Sequence, residues 1–364
     1  MNIETTYKTQ NEIKIGSRTL GENHPVYFIA DIAANHDGDL ERAKSLIYLA
    51  AEAGAHAAKF QHFSAATIVS DYEFKKRSSI TSHQSSWKKS VFQTYEAASV
   101  GHEWDEVLKK TCEEAKIEFM TSPYSFDIAD SIDPYLNVYK IGSGDITWIE
   151  YLQHLAHKNK PLLIATGASS FEDVIRAVES VELINQDLCI MQCNTNYTGS
   201  LENFKYLNLR VLECYRSMFP NYLLGLSDHT PGHSAVLGAI TLGARVIEKH
   251  FTDSTNRDGP DHKFSLTPRS WKDMVDASFE LDLSLGNGIK RIEENEKATA
   301  IVQRRSLCAK RQISPGEVLC RSDLIPLRPC PPASFPPYQI QDLIGKVVIN
   351  QLQIGQSILI SDIK

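Results

Sequence analysis

Eight short apolar runs recur along the chain between Val26 and Phe251, each closing on polar residues. They are VYFIADIA (26–33), AHAAKFQ (55–61), IEFMTSP (117–123), VYKIGSG (138–144), PLLIATG (161–167), LCIMQCN (188–194), YLLGLSD (222–228) and RVIEKHF (245–251). Amphipathic stretches lie between them, such as LERAKSLIYLAAEAG (40–54), WDEVLKKTCEEAK (104–116), FEDVIRAVESVELI (171–184) and HSAVLGAITLGA (233–244). Continuous apolar runs alternating with helices predict parallel strands buried on both faces. Eight such units over roughly 250 residues predict a (β/α)8 TIM barrel. An open doubly wound sheet is the competing arrangement, but no G-x-G-x-x-G follows the first run.

Other segments break this rhythm. IKIGSRTLGEN (13–23) reads as a small hairpin ahead of the barrel, and the polar segment 64–101 as a loop or short helices over its mouth. Residues 285–303 turn polar and charged, as at a domain connection. The division predicted is a barrel domain over 1–284, a linker over 285–303 and a mostly-β domain over 304–364. With only about 60 residues, the last is near the lower limit for independent folding and is expected to pack on something larger.

Composition narrows the class. The 364 residues are 42% hydrophobic and 23% charged, as in soluble globular proteins. A formal charge of −7 argues against nucleic acid or an anionic membrane as partner. No run approaches the ~18 apolar residues of a membrane helix. Met1–Asn11 does not read as a secretory signal. The 7 cysteines are scattered without metal spacing, which predicts reduced thiols and a cytoplasmic location. Cys189 and Cys193 fall in a buried run, where cysteine acts as a small hydrophobe.

In a barrel the chemistry gathers at the C-terminal strand ends. Here those ends carry Asp31, Asn35 and His36; Lys59 and Gln61; Thr121 and Ser122; Lys140, Ser143 and Asp145; Thr166; Asn194 to Tyr197; Ser227, Asp228 and His229; and Glu248 and His250. Lys59 and Lys140 stand inside apolar runs, where an ammonium needs an anionic partner. Either each pairs with a carboxylate such as Asp31 or Glu248, or together they hold a small substrate bearing carboxylate and phosphate. Ser122, Ser143, Thr166 and Ser227 would then add neutral donors. His229 and His250 end neighbouring strands, so they either share a metal ion or are hydrogen-bonded structural residues. His36, His233 and His262 read as loop or cap residues. Asp261, in the rigid turn Gly259-Pro260-Asp261, joins Asp31 and Asp145 as acids suited to a polyhydroxylated substrate.

These residues, in order, resemble the N-acetylneuraminate (sialic acid) synthase family, with its pseudaminic and legionaminic acid synthases. The motifs are DIAANHDG (31–38), AKFQ (58–61), TSPY (121–124), YKIGSGD (139–145), ATG (165–167), GLSDHT (225–230), EKHF (248–251) and GPD (259–261). SPGEVL (314–319), LRP (327–329) and IGK (344–346) resemble the family's C-terminal antifreeze-like (SAF) domain. The resemblance implies condensation of phosphoenolpyruvate with an N-acylaminosugar aldehyde, giving a nonulosonic acid and phosphate. It implies that Lys59, Lys140, Ser122, Ser143 and Ser227 hold phosphoenolpyruvate. His229 and His250 would bind a divalent metal, Mn2+ first, with Mg2+ or Co2+ as alternatives. Asp31 would orient or deprotonate the attacking water. Gln61, Asp145, Thr195, Tyr197 and Asp261 would contact substrate. Arg328 would reach the sugar across a domain-swapped homodimer.

Three departures stand out against the family pattern. Asp31 replaces a glutamate, Ala165 replaces a serine, and Cys193-Asn194-Thr195-Asn196-Tyr197-Thr198 lacks the usual proline after tyrosine. All leave the lysines and histidines in place. A metal-dependent aldolase or hydrolase on the same barrel, and a non-catalytic carbohydrate-binding relative, are the alternatives.

Overall fold

The computed structural model describes residues 12–76, 84, 87 and 89–364. The chain forms two compact units, the first ending at Gly286 and the second spanning Asn287–Lys364. In the first, β1 (Ile13–Ile15) and β2 (Arg18–Leu20) pair as the antiparallel hairpin expected over 13–23. The eight apolar runs become β3 (Tyr27–Asp31), β4 (Ala57–His62), β5 (Glu118–Pro123), β6 (Tyr139–Ile141), β7 (Leu162–Ala165), β8 (Leu188–Cys193), β9 (Leu223–Asp228) and β10 (Ala244–His250). They make one parallel sheet in the order β5-β4-β3-β10-β9-β8-β7-β6. Because β10 returns to pair with β3, and β5 lies beside β6, the sheet is a nearly closed barrel.

Several helices start where side chains satisfy their first amides. Asp39 accepts from Glu41 N and Arg42 N ahead of the helix Leu40–Glu52. Ser170 and Asp173 form a capping box for Phe171–Val181. Thr267 and Ser270 do so for Pro268–Leu285, where Pro268 at the first position leaves no amide unmet.

Strand parity then sorts the side chains. Phe28, Ala30, Ala58, Phe60, Phe119, Ile164, Ile190, Leu226 and Ile247 face outward and pack against the helices. Tyr27, Ile29, Ala57, Met120, Val138, Leu163, Met191, Leu223 and Val246 form a second cluster inside the barrel, together with Ile13, Ile15 and Leu20 of the hairpin. The hairpin therefore stoppers the barrel at the N-terminal ends of its strands. Two residues further along the same inward rows stand Asp31, Lys59, Ser122, Lys140 and Glu248, so the interior turns from apolar to charged.

Of segment 64–101, the described residues form short helices at Ala65–Ile68, Asp71–Lys76 and Val91–Ala98; residues 77–83, 85, 86 and 88 lie outside the described residues. No helix among the described residues is long and apolar enough to cross a membrane.

The second unit includes a short helix, Lys297–Gln303, within the stretch 285–303 that the sequence reads as a linker. β11 (Ser306–Ala309) and β12 (Leu324–Leu327) then pair antiparallel. Isolated bridges such as Ile313–Leu352 and Val348–Ile363 complete the unit around Leu307, Ile313, Leu319, Leu343, Leu352 and Ile358. Arg328 follows β12 at an exposed position.

Candidate active site

The two inward lysines do find carboxylates. Lys59 Nζ lies 2.7 Å from Asp31 Oδ2 and 3.8 Å from Glu248 Oε2, and Lys140 Nζ lies 3.4 Å from Glu248 Oε1. Lys140 also donates to Ile141 O at 3.2 Å, and Ser227 Oγ donates to Glu248 Oε1 at 3.0 Å. All four charged side chains are at most 5% exposed. Burial opposes the charge on Glu248, but Lys140, Lys59 and the Ser227 hydroxyl outweigh it and hold the carboxyl down at about 2. Burial pushes the Asp31 carboxyl above the ordinary carboxylate range even against Lys59. Burial works against the charge on Lys59, yet Asp31 and Glu248 hold its ammonium above the ordinary lysine value. Two cations and two anions thus cancel in a buried pocket.

Beside this cluster the rings of His229 and His250 lie 5.3 Å apart. His229 Nδ1 is 2.8 Å from the Asn194 carbonyl, which can only accept, so this nitrogen carries the proton and Nε2 keeps its lone pair. His250 Nδ1 is buried with no hydrogen-bond partner, and its Nε2 is 3.6 Å from Asp31 Oδ2. Burial and the neighbouring ring push His229 down to about 3; burial and Lys59 do the same to His250. Both rings are therefore neutral, as metal ligation requires. A backbone carbonyl on the far nitrogen is the usual orienting contact of a ligating histidine. Among the described residues no group of three or more His, Cys, Asp and Glu is arranged to hold an ion, so any ion here would complete its shell with water or substrate oxygen.

The surrounding residues sort by distance. Ser122 Oγ and Glu248 Oε2 are buried without hydrogen-bond partners. Gln61 Nε2 reaches Asp31 Oδ2 at 3.5 Å. Ser143 Oγ accepts from Gly167 N at 3.0 Å, and a Cβ on Gly167 would collide with Thr195 and Ser143, so glycine lets these segments meet. Tyr197 packs its ring 4.3 Å from His229, and Phe264 sits 4.8 Å from His250. Burial raises Asp145 to about 6. Asp261 accepts from Ala34 N at 3.2 Å, but burial, helped by Asp31, still carries it to about 7. A cavity of about 650 Å³ opens here, lined by Tyr197, Phe264, Trp87, Lys89, Arg257 and Gly259 among others.

The loops after β3 and β10 are latched together. Arg42 grips Asp253 through both terminal nitrogens at 2.7 and 2.8 Å, while His262 bridges Asp37 Oδ1 (2.9 Å) and Thr252 Oγ1 (2.8 Å). His36 Nδ1 accepts from Gly38 N at 3.1 Å within the loop after β3, and His233 precedes its helix without a side-chain cap hydrogen bond. Thr166 departs from its reading as a site donor: it lies one residue past inward Ala165, and its hydroxyl is taken by Met191 O and by Tyr215 OH at 3.0 Å. Glu248 is the residue the sequence reading left out of the substrate set, although it names it as a partner for lysine. Phe264 carries no sequence signal, since an aromatic in a loop has no period to betray it.

Two family models match the chain: the NeuB family over residues 46–290 and the SAF domain over residues 304–364. N,N'-diacetyllegionaminic acid synthase of Legionella pneumophila is 32% identical over 353 residues, covering 94% of this chain and 96% of its own length. Human N-acetylneuraminate-9-phosphate synthase is 31% identical, covering 94% of each chain. The solved structure of N-acetylneuraminic acid (sialic acid) synthetase from Leptospira borgpetersenii, in complex with citrate, superposes with a TM-score of 0.70 at 25% identity. It covers 80% of this chain and 95% of that one. A barrel with a charged interior, followed by a SAF domain and matched along its length by such enzymes, belongs to the NeuB family and is an enzyme of the sialic acid synthase type.

Proposed function

We propose that the barrel joins phosphoenolpyruvate to the aldehyde of an N-acylaminosugar, with a divalent metal bound, and releases a nonulosonic acid and inorganic phosphate. The observation that carries this reading is the charge-balanced Asp31–Lys59–Glu248–Lys140 cluster beside two neutral imidazoles. Because those four side chains sum to zero, a substrate with carboxylate and phosphate needs further positive charge at the same place. His229 and His250 would hold it as a metal ion, Mn2+ in the first instance, which supplies Lewis-acid polarisation of the aldehyde oxygen.

The chain's own residues do the rest. Lys59, Lys140 and the hydroxyls of Ser122, Ser143 and Ser227 bind the phosphate and carboxylate of phosphoenolpyruvate, and Ser122 brings a donor with no other partner. The C2–C3 double bond of phosphoenolpyruvate supplies the pair that bonds carbon 3 to the aldehyde carbon, and the aldehyde C=O pair moves onto its oxygen, which takes up a proton and becomes a hydroxyl. Water then adds at carbon 2 and loses its proton. Phosphate departs as the keto group forms. Asp31, made more basic by burial, accepts the proton from that water. Gln61, Asp145, Thr195, Tyr197 and Asp261 face the sugar, and the resemblance assigns Arg328 to it as well.

The test is phosphate release from phosphoenolpyruvate across a panel of N-acylaminosugars, with and without Mn2+. Release that needs both sugar and metal, with a keto acid carrying three added carbons by mass spectrometry, is the expected result. Sugar-independent hydrolysis, or sugar binding without turnover, would overturn the reading.

A further inference from the structure

The register that brings His229 and His250 together also pairs the residues beside them. In the β9–β10 ladder Ser227 lies opposite Glu248, and Asp228 opposite Lys249. Ser227 and Glu248 face into the barrel, so parity turns Asp228 and Lys249 the other way, between strands and helices. There Lys249 Nζ lies 2.5 Å from Asp228 Oδ2, the two side chains being 1% and 0% exposed. Both side chains also bond to one further residue, Thr230. Lys249 donates to Thr230 O at 2.6 Å, and Asp228 accepts from Thr230 N at 2.9 Å and from its hydroxyl at 3.0 Å.

This knot encloses His229. The residues immediately before and after it are tied to the residue immediately before His250. β9 ends at Asp228, so His229 itself has no ladder to hold it. Well-packed apolar side chains would fill the same seam without desolvating two charges, which makes a role in positioning the better account of an ion pair here. We propose that Asp228, Thr230 and Lys249 are positioning residues that set the spacing and orientation of the two imidazoles, and through them the affinity of the site for its cation. The inference rests on reading His229 and His250 as the ligands. Ligands held by an outer layer of this kind lose little freedom on binding.

The test compares the parent protein with Lys249→Met and with Asp228→Asn/Lys249→Met, all stripped of metal and free of substrate. Mn2+ binding is read by electron paramagnetic resonance of the free ion, and folding by thermal unfolding. The double variant buries no charge, and its asparagine still accepts from Thr230 N, so it is expected to keep a cooperative transition. Its Kd for Mn2+ should rise about tenfold or more, as outer-layer losses do at metal sites, and Lys249→Met should follow wherever it folds. A folded double variant with the parent Kd would overturn the inference and leave the metal reading standing. Failure of the double variant to fold would overturn it too, by making the pair a folding element. A parent protein that binds no Mn2+ would remove the metal reading and the inference with it.

Discussion

Glu248 carries the charge balance of the barrel interior, because both buried lysines lean on its carboxylate. Replacing it by glutamine leaves two buried ammonium groups with only Asp31 for compensation. Breaking a buried pair in this way costs about 3–5 kcal/mol, so Glu248→Gln is expected to lower stability by that order in urea unfolding, with phosphate release falling alongside. Unchanged stability would mean that water reaches the lysines. Asp261 makes a second prediction at this scale. Below about pH 7 its carboxyl is neutral and above it charged. The charged form is the stronger acceptor for sugar hydroxyls. The kcat/KM for the sugar should therefore rise through about pH 7, and Asp261→Asn should flatten that limb. A limb that survives the substitution would remove Asp261 from the sugar contact. The sign for stability is opposite: the unfolded chain gives up this proton near 3.8, so stability falls as pH rises from there to about 7.

Among the elements, β1 and β2 are short yet contribute Ile15 and Leu20 to the interior at 1% exposure each. Leu20→Ala is expected to cost about 2–5 kcal/mol in urea unfolding while leaving both KM values unchanged, since the apolar end lies away from the charged one. A shift in KM would show that the stopper also shapes the site. All eight barrel strands were legible in the sequence, because burial on both faces demands unbroken apolar runs. The helix from Leu40 was legible too, as the amphipathic stretch over 40–54. Lys59 and Lys140 stood out as violations of those runs, and His229 and His250 as strand ends. What stayed hidden depends on pairing between distant segments. That Glu248 meets Ser227 follows from the β9–β10 register, which no local pattern encodes. Thr166 was misread because a single step past a strand end reverses which way a side chain points. The same parity, applied with the register in hand, separates Glu248 from Lys249 and gives each a different task.

At the scale of the whole molecule, the SAF domain has its own core and bears Arg328 on an exposed turn. On the family resemblance that guanidinium would serve the sugar. Loss of a charged hydrogen bond of about 1.5–3 kcal/mol predicts that Arg328→Ala raises KM for the sugar about tenfold or more while KM for phosphoenolpyruvate stays put. Equal effects on both would argue against a sugar-specific role. Sedimentation velocity over a range of concentrations tests the expected homodimer. The stoppered barrel has a kinetic corollary. With the hairpin packed into the far end of the barrel, on the proposed reading the molecule seated on Lys59 and Lys140 enters first, and the sugar closes the way behind it. Turnover would then follow a compulsory order, and in an isotope-trapping experiment phosphoenolpyruvate already aboard would be committed to product once enough sugar is added.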